Sequence, residues 1–198
     1  NIGILGYYCF ENDMYHEKGM EKLIMFNKLR SLFSSKKTHS KQSPINELLL
    51  TDEEVKAVEY AHNCILIQMI SGGAIKEGDT KSVFHDAKYI TPWIIGYLAG
   101  ILDYSIRATG AGEHARYELQ QFFIFLHFAP ELEKEVSAVN LLSHAAMSGK
   151  DTGGFAPHYG EDYIAGAQAG FDTPPNVERD TPKLELHWYL SNNCTPRT

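Results

Sequence analysis

Hydrophobic side chains recur at helical spacing along much of the chain, and one stretch is apolar on every side. This stretch, Thr91 through Leu102, begins with a residue that can cap a helix and a proline that suits the first helical position. A helix that is apolar all round has to be buried, and this one is too short to span a membrane. The pattern therefore predicts a central buried helix over residues 92–109.

Amphipathic patterns predict further helices around this central one. Thr51 and Glu54 have the spacing of a capping box and begin a helix that extends to about Ile70. Other helices are predicted over residues 81–89, 113–128, 130–147 and 161–169. Gly96 and Gly100 are spaced so that another helix can approach closely, and in a core we expect an intramolecular helix crossing there.

The character of the sequence changes after residue 171. Pro174, Pro175 and Pro182 prevent a continuous helix. Between residues 184 and 190, leucine and tryptophan alternate with other side chains at the period of a strand. We therefore predict an all-α fold, a bundle of about five to seven helices with an irregular, partly extended C-terminal tail.

The beginning of the chain differs in composition from the rest. Residues 18–33 place leucine and phenylalanine near helical spacing with lysine and arginine between them, which predicts an amphipathic helix. The polar, basic residues after it predict a linker. We therefore divide the chain into an N-terminal extension, residues 1–43, and a single helical domain with its tail, residues 44–198. The basic stretch 28–41 could bind an anionic membrane or an acidic partner, or be a solvated linker.

Charge and cysteine content exclude several classes of protein. The chain of 198 residues has a net charge of −7, which disfavours a broad nucleic-acid-binding surface. Cys9, Cys64 and Cys194 lie far apart, which disfavours a disulfide scaffold or a thiolate zinc site. Because no apolar segment is long enough, no transmembrane segment is expected. These features predict a soluble protein of a reducing compartment, the cytoplasm.

One set of residues could carry metal chemistry. His62 lies on the helix that follows the capping box, and the doublet His85-Asp86 lies on a later element. This arrangement resembles that of the HD-domain metal-dependent phosphohydrolases, which are all-helical. The resemblance implies that a divalent metal ion would be held by His62, His85, Asp86 and a later aspartate, Asp151 or Asp162. Such an ion would activate water against a phosphate ester.

The doublet also departs from the pattern of that family. The residues at 79–84 are more polar than the apolar run that usually precedes it, and Ala87 and Lys88 follow in place of an apolar residue, a glycine and a lysine. An exposed His-Asp pair in a short helix accounts for the same residues without a metal. On that interpretation no cofactor is expected.

The remaining alternatives concern binding. A small-molecule binding bundle would have a pocket lined by Trp93, Tyr97, Phe122 and Phe125. No nucleophile motif or phosphate-binding loop is present in the sequence. The leading hypothesis is therefore a helical protein that acts through protein–protein interaction, with an unknown partner or with a second copy of itself.

Overall fold

The apolar stretch at the centre of the sequence is also the centre of the fold. A computed structural model describes residues 49–71, 84–149, 158–175 and 183–193. The central helix extends from Pro92 to Thr109, and every residue from Ile94 through Leu102 is buried. The Thr91 side chain accepts a hydrogen bond from the backbone N–H of Ile94, and Gly110 ends the helix in the left-handed conformation. The predicted buried helix is therefore confirmed.

The described residues form an all-α fold, as predicted. Six α-helices are present in this part of the chain: α1 Asp52–Ser71, α2 Pro92–Thr109, α3 Tyr117–His127, α4 Glu133–Met147, α5 His158–Phe171 and α6 Glu185–Asn193. Helix α2 contacts α1, α3, α4 and α5, which places it inside the bundle. All six helices belong to one compact unit, Leu50–Thr198. None of the described helices is long and apolar enough to cross a membrane.

The predicted features of the N-terminal extension lie outside the described residues. These are the amphipathic helix over 18–33 and the basic linker, together with the boundary after residue 43. Among the predicted metal ligands, Asp151 also lies outside. The division into an extension and a helical domain therefore stays a prediction.

The C-terminal tail differs from its prediction, because residues 185–193 form helix α6 and no strand. In a strand, Leu186, Trp188 and Leu190 would share one face. In the helix, Leu186 and Leu190 are buried one turn apart, whereas Trp188 is exposed. The Gln68 side-chain oxygen accepts a hydrogen bond from the backbone N–H of Leu186 at 3.0 Å, which anchors the first turn of α6 against α1.

Residues 84–89, the described part of the helix predicted over 81–89, also differ from the prediction. The backbone N–H of Phe84 donates to the His127 carbonyl, and the Phe84 carbonyl accepts from Ala129, both at 2.9 Å. These bonds hold Phe84 in an isolated parallel bridge with Phe128. Only a short 3-10 turn, Ala87–Tyr89, follows. At Phe84, backbone pairing with the residues that end and follow α3 therefore takes the place of the predicted helix.

Helices α2 and α5 pack with their backbones in direct contact. A Cβ atom built on Gly96 would overlap the carbonyl oxygen of Tyr163, and one on Gly100 would overlap that of Ala167. On α5, Gly166 and Gly170 lie equally close to carbonyl groups of α2. Because any side chain would occupy the same space as the opposite backbone, only glycine permits this approach. The intramolecular helix crossing predicted at Gly96 and Gly100 is therefore confirmed.

Candidate functional site

The predicted metal ligand His62 packs against a residue that was not predicted, His127. The Nδ1 atom of His62 lies 3.0 Å from Nε2 of His127, and Nδ1 of His127 lies 2.8 Å from the Phe123 carbonyl oxygen. A carbonyl oxygen only accepts, so Nδ1 of His127 carries the hydrogen and its Nε2 is left as an acceptor. His62 therefore donates from Nδ1, and the pair links α1 to the end of α3.

Burial keeps both rings of this histidine pair neutral. It lowers the pKa of His62 to about 4. Burial, together with the neighbouring His62, lowers the pKa of His127 to about 3, although its bond to the Phe123 carbonyl opposes this shift. The sequence offered one indirect signal for His127, because it follows Phe123 by one turn on a buried helix face.

We expect acid to destabilise the described unit through the histidine pair. In an unfolded chain a histidine takes up a proton near pH 6.5, whereas the folded pair stays neutral to about pH 4. The unfolded state therefore binds more protons in this window. The stabilising contribution of the neutral histidine pair to the free energy of unfolding is complete above about pH 6.5. It falls on acidification by up to about 1.4 kcal/mol per pH unit for each histidine.

Urea unfolding between about pH 7 and pH 5, where carboxyl groups titrate little, measures this slope. His62→Gln keeps a donor for His127 but cannot titrate, so the slope should become shallower. His85→Gln is the matched control, because His85 is exposed. Equal slopes in the native protein and in His62→Gln would contradict the expectation.

The predicted ligands His85 and Asp86 are both exposed. The Asp86 carboxylate accepts from the backbone N–H of Lys88 at 3.0 Å and lies 3.6 Å from the Lys88 ammonium group, so it caps the 3-10 turn. Asp162 is exposed on α5. Within the described ranges, no three histidine, cysteine, aspartate or glutamate side chains come together to hold a metal ion. The metal site stays a prediction.

Trp93 and Tyr97, predicted to line a pocket, pack against protein groups. Trp93 stacks on Tyr189 of α6 with ring centroids 3.9 Å apart, and on Tyr97 at 5.3 Å. The Tyr97 hydroxyl donates to Thr173 at 3.0 Å and also bonds the Gln68 side-chain amide. Burial raises the pKa of Tyr97, so this phenol stays protonated.

The other two predicted pocket residues lie on α3, where Phe122 is buried and Phe125 is partly exposed. The described residues do form an open depression of about 460 Å³ at a different place, beside Arg107, Gly112 and Glu113. The predicted small-molecule pocket therefore stays a prediction.

A different cluster, centred on His144, brings together side chains of α3, α4 and α5. The His144 ring contacts the Tyr117 ring at a centroid distance of 6.3 Å and the Tyr163 ring at 5.2 Å. Leu141 and Met147 lie one turn to either side of His144 on α4. These residues place His144 between three helices, at the edge of the core.

Ile164 of α5 also belongs to this cluster. Gly160, one turn before it, lies against the backbone of Ala146 and Met147 of α4. Ile164 therefore emerges on the side of α5 that borders α4. We use the name His144 surface for this set of residues: Tyr117, Leu141, His144, Met147 and Ile164.

The His144 surface exposes large apolar side chains. Leu141 is 69% exposed, Tyr117 60% and Ile164 56%. In addition, α4 carries no charged residue from Val136 to its end, although Ser137 and other side chains there are exposed. Surface helices normally carry charges on their solvent side. Apolar exposure with depletion of charge is typical of the centre of a protein–protein interface.

Three polar atoms next to this surface are shielded from solvent and have no hydrogen-bond partner among the described residues: Gln121 Nε2, Asn140 Oδ1 and His144 Nε2. Gln121 follows Tyr117 by one turn, and Asn140 precedes His144 by one turn. Burial also lowers the pKa of His144. An unpaired buried polar group typically costs about 1–3 kcal/mol, which makes these three atoms candidates for hydrogen bonds to water or to a partner.

Comparison of the chain with protein-family models, with curated proteins and with solved structures finds no match. The function therefore has to be inferred from the geometry of this chain.

Proposed function

We propose that this protein acts by binding another protein through the His144 surface. The observation that carries the proposal is the exposure of Tyr117, Leu141 and Ile164 on three adjoining helices. Scattered exposed leucines are common, but a cluster of exposed apolar side chains around the partly buried His144 ring is a marker of an interaction site. The uncharged side of α4 supports the same conclusion, because interface centres are poor in charge.

The energetics of these side chains favour a role as anchors for a partner. Fully burying one large apolar side chain contributes roughly 1.5–3 kcal/mol. More than half of the Tyr117 and Leu141 side chains is exposed to water. Most of this free energy would therefore be gained only when a partner covers them. Tyrosine is enriched among the residues that dominate binding energy.

The alternatives lack an observation of this kind. A metal-dependent phosphohydrolase needs several ligands around one metal ion. The described residues contain no group of three side chains that could hold such an ion. A small-molecule site around Tyr97 needs unfilled space, whereas its ring is stacked on Trp93 and its hydroxyl is hydrogen-bonded to protein groups.

We expect a partner to be cross-linked from the uncharged side of α4. A photo-reactive amino acid at Ala138, an exposed position one turn before Leu141, should yield a discrete adduct in the cells that make the protein. Leu141→Lys in the same chain should reduce that adduct about tenfold, because it places a charge in an apolar contact.

The matched control is the same photo-reactive residue at Asn63, which is exposed on α1. It should give no discrete adduct. Circular dichroism should show an unchanged fold for Leu141→Lys, because position 141 is largely in water. An adduct at Ala138 that is insensitive to Leu141→Lys would refute the proposal.

A further inference from the structure

The charged residues on the helices of the His144 surface are mostly acidic. Glu118 follows Tyr117 on α3, and Glu161 lies one turn before Ile164 on α5. Other carboxylates lie beside Glu161 and around the beginning of α4. The exposed acidic residues on these three helices, or in the turn just before α4, are Glu118, Glu131, Glu133, Glu135, Glu161 and Asp162.

Among the described residues near this surface, positive charge is scarce or already compensated. Lys134 is exposed near the beginning of α4. Arg116, next to Tyr117, is held by the Glu54 carboxylate at 2.6 Å and 3.2 Å, and this bond lowers the pKa of Glu54. Within the described residues none of the six carboxylates forms an ion pair, although the negative charge of Glu118 contributes to the raised pKa of Arg116. The surface therefore combines an apolar centre with an acidic border.

We propose that the partner of the His144 surface is a basic amphipathic helix, with an apolar stripe flanked by lysine and arginine. The inference rests on the proposed function and adds the chemistry of the partner. An apolar centre selects a stripe of leucine-like side chains, and the acidic border selects positive flanks. The net charge of −7 on the whole chain also favours a positively charged partner.

The shape of α4 favours a helix as the docking element. Its outward side carries small residues, among them Ser137 and Ala138, beside the large exposed side chain of Leu141. Small residues let the axis of a second helix approach closely. The described part of the fold has no extended sheet edge, only the isolated bridge at Phe84, so it offers no edge for an added strand.

A second copy of this chain fits the surface less well. A symmetric contact would bring the same patch of both copies together. The acidic borders of the two copies, Glu161 among them, would then meet each other, and like charges across an interface are unfavourable. A partner with the opposite charge avoids this cost.

The test uses two synthetic probes and the full chain. One probe is a helical peptide of about 18 residues with leucine on one face and lysine on the other. The second probe has glutamate at every lysine position. Fluorescence anisotropy at fixed salt should show binding of the basic peptide that is at least about tenfold tighter than that of the acidic peptide.

Two single charge reversals distinguish the surface from general attraction between opposite charges. Glu161→Lys should weaken binding of the basic peptide about fivefold or more. Asp86→Lys changes the net charge equally, but Asp86 lies near the C-terminal end of α3, whereas Tyr117 begins that helix. It should leave the affinity nearly unchanged. Equal weakening by both variants would overturn the inference.

The remaining outcomes separate this inference from the proposed function. If the adduct at Ala138 depends on Leu141 but Glu161→Lys has no effect on binding, the partner is not basic and only the inference fails. If sedimentation shows self-association that Leu141→Lys abolishes, the occupant is a second copy, and the inference also fails. If Leu141→Lys abolishes binding of the basic peptide and Glu161→Lys weakens it, the inference is supported.

Discussion

Gly100→Ala is expected to prevent the packing of α2 against α5 and to unfold the described unit at ordinary temperatures. The added methyl group would overlap the backbone carbonyl of Ala167, which cannot rotate away as a flexible side chain could. Overpacking typically costs about 1–3 kcal/mol where side chains can shift, and here two helix axes must separate. Alanine improves helix propensity by only about 1 kcal/mol, which is too little to compensate.

Thermal unfolding followed by circular dichroism measures this effect. The control is Gly110→Ala, which introduces the same methyl group at a left-handed residue with φ of 74° and no neighbouring atom within 4 Å. Its cost is limited to backbone strain of about 1–2 kcal/mol. If Gly100→Ala were as stable as the native protein, the direct backbone contact between α2 and α5 would be wrong.

Leu98→Asp is expected to abolish folding. Leu98 is fully buried on α2, so the carboxylate would lie in the core without a partner. Burying an unpaired carboxylate costs several kcal/mol, and loss of the buried leucine side chain adds about 2–5 kcal/mol. Together these costs are comparable to the roughly 5–15 kcal/mol by which a domain of this kind is stable. The variant should be recovered unfolded or aggregated, with no cooperative thermal transition.

Ala108→Asp is the matched control for this variant, because Ala108 is exposed on the same helix. A negative charge near the end of a helix costs about 0.3–1 kcal/mol, so this variant should keep its cooperative transition. A Leu98→Asp protein that unfolds near the native temperature would contradict the position of α2 at the centre of the core.

The parts of the fold that depend on neighbouring residues could be predicted from the sequence. The capping box at the beginning of α1 is present, since Thr51 and Glu54 bond each other's backbone N–H groups at 2.9 Å and 3.1 Å. The position of α2 follows from its apolar circumference, and its glycine spacing indicated a close crossing. These signals are local, because they act within one or two helical turns.

The parts that depend on distant residues could not be predicted in the same way. Residues 185–193 alternate like a strand, yet the buried Gln68 amide, distant in sequence, binds the beginning of α6 and places it as a helix. Likewise, His62 carried no indication that its partner is His127, which is 65 residues away. The motif resemblance instead favoured His85 and Asp86, which the fold leaves exposed.

The His144 surface shows the same division. Tyr117, Leu141 and Ile164 are ordinary members of three amphipathic patterns, and nothing in those patterns distinguishes them from core residues. Local periodicity and capping were sufficient to determine the all-α class, the central helix and most helix positions, because hydrogen bonding and burial repeat with the helical turn. Only the tertiary structure decided which apolar side chains stay in water and which histidines meet, because those contacts depend on how the helices pack.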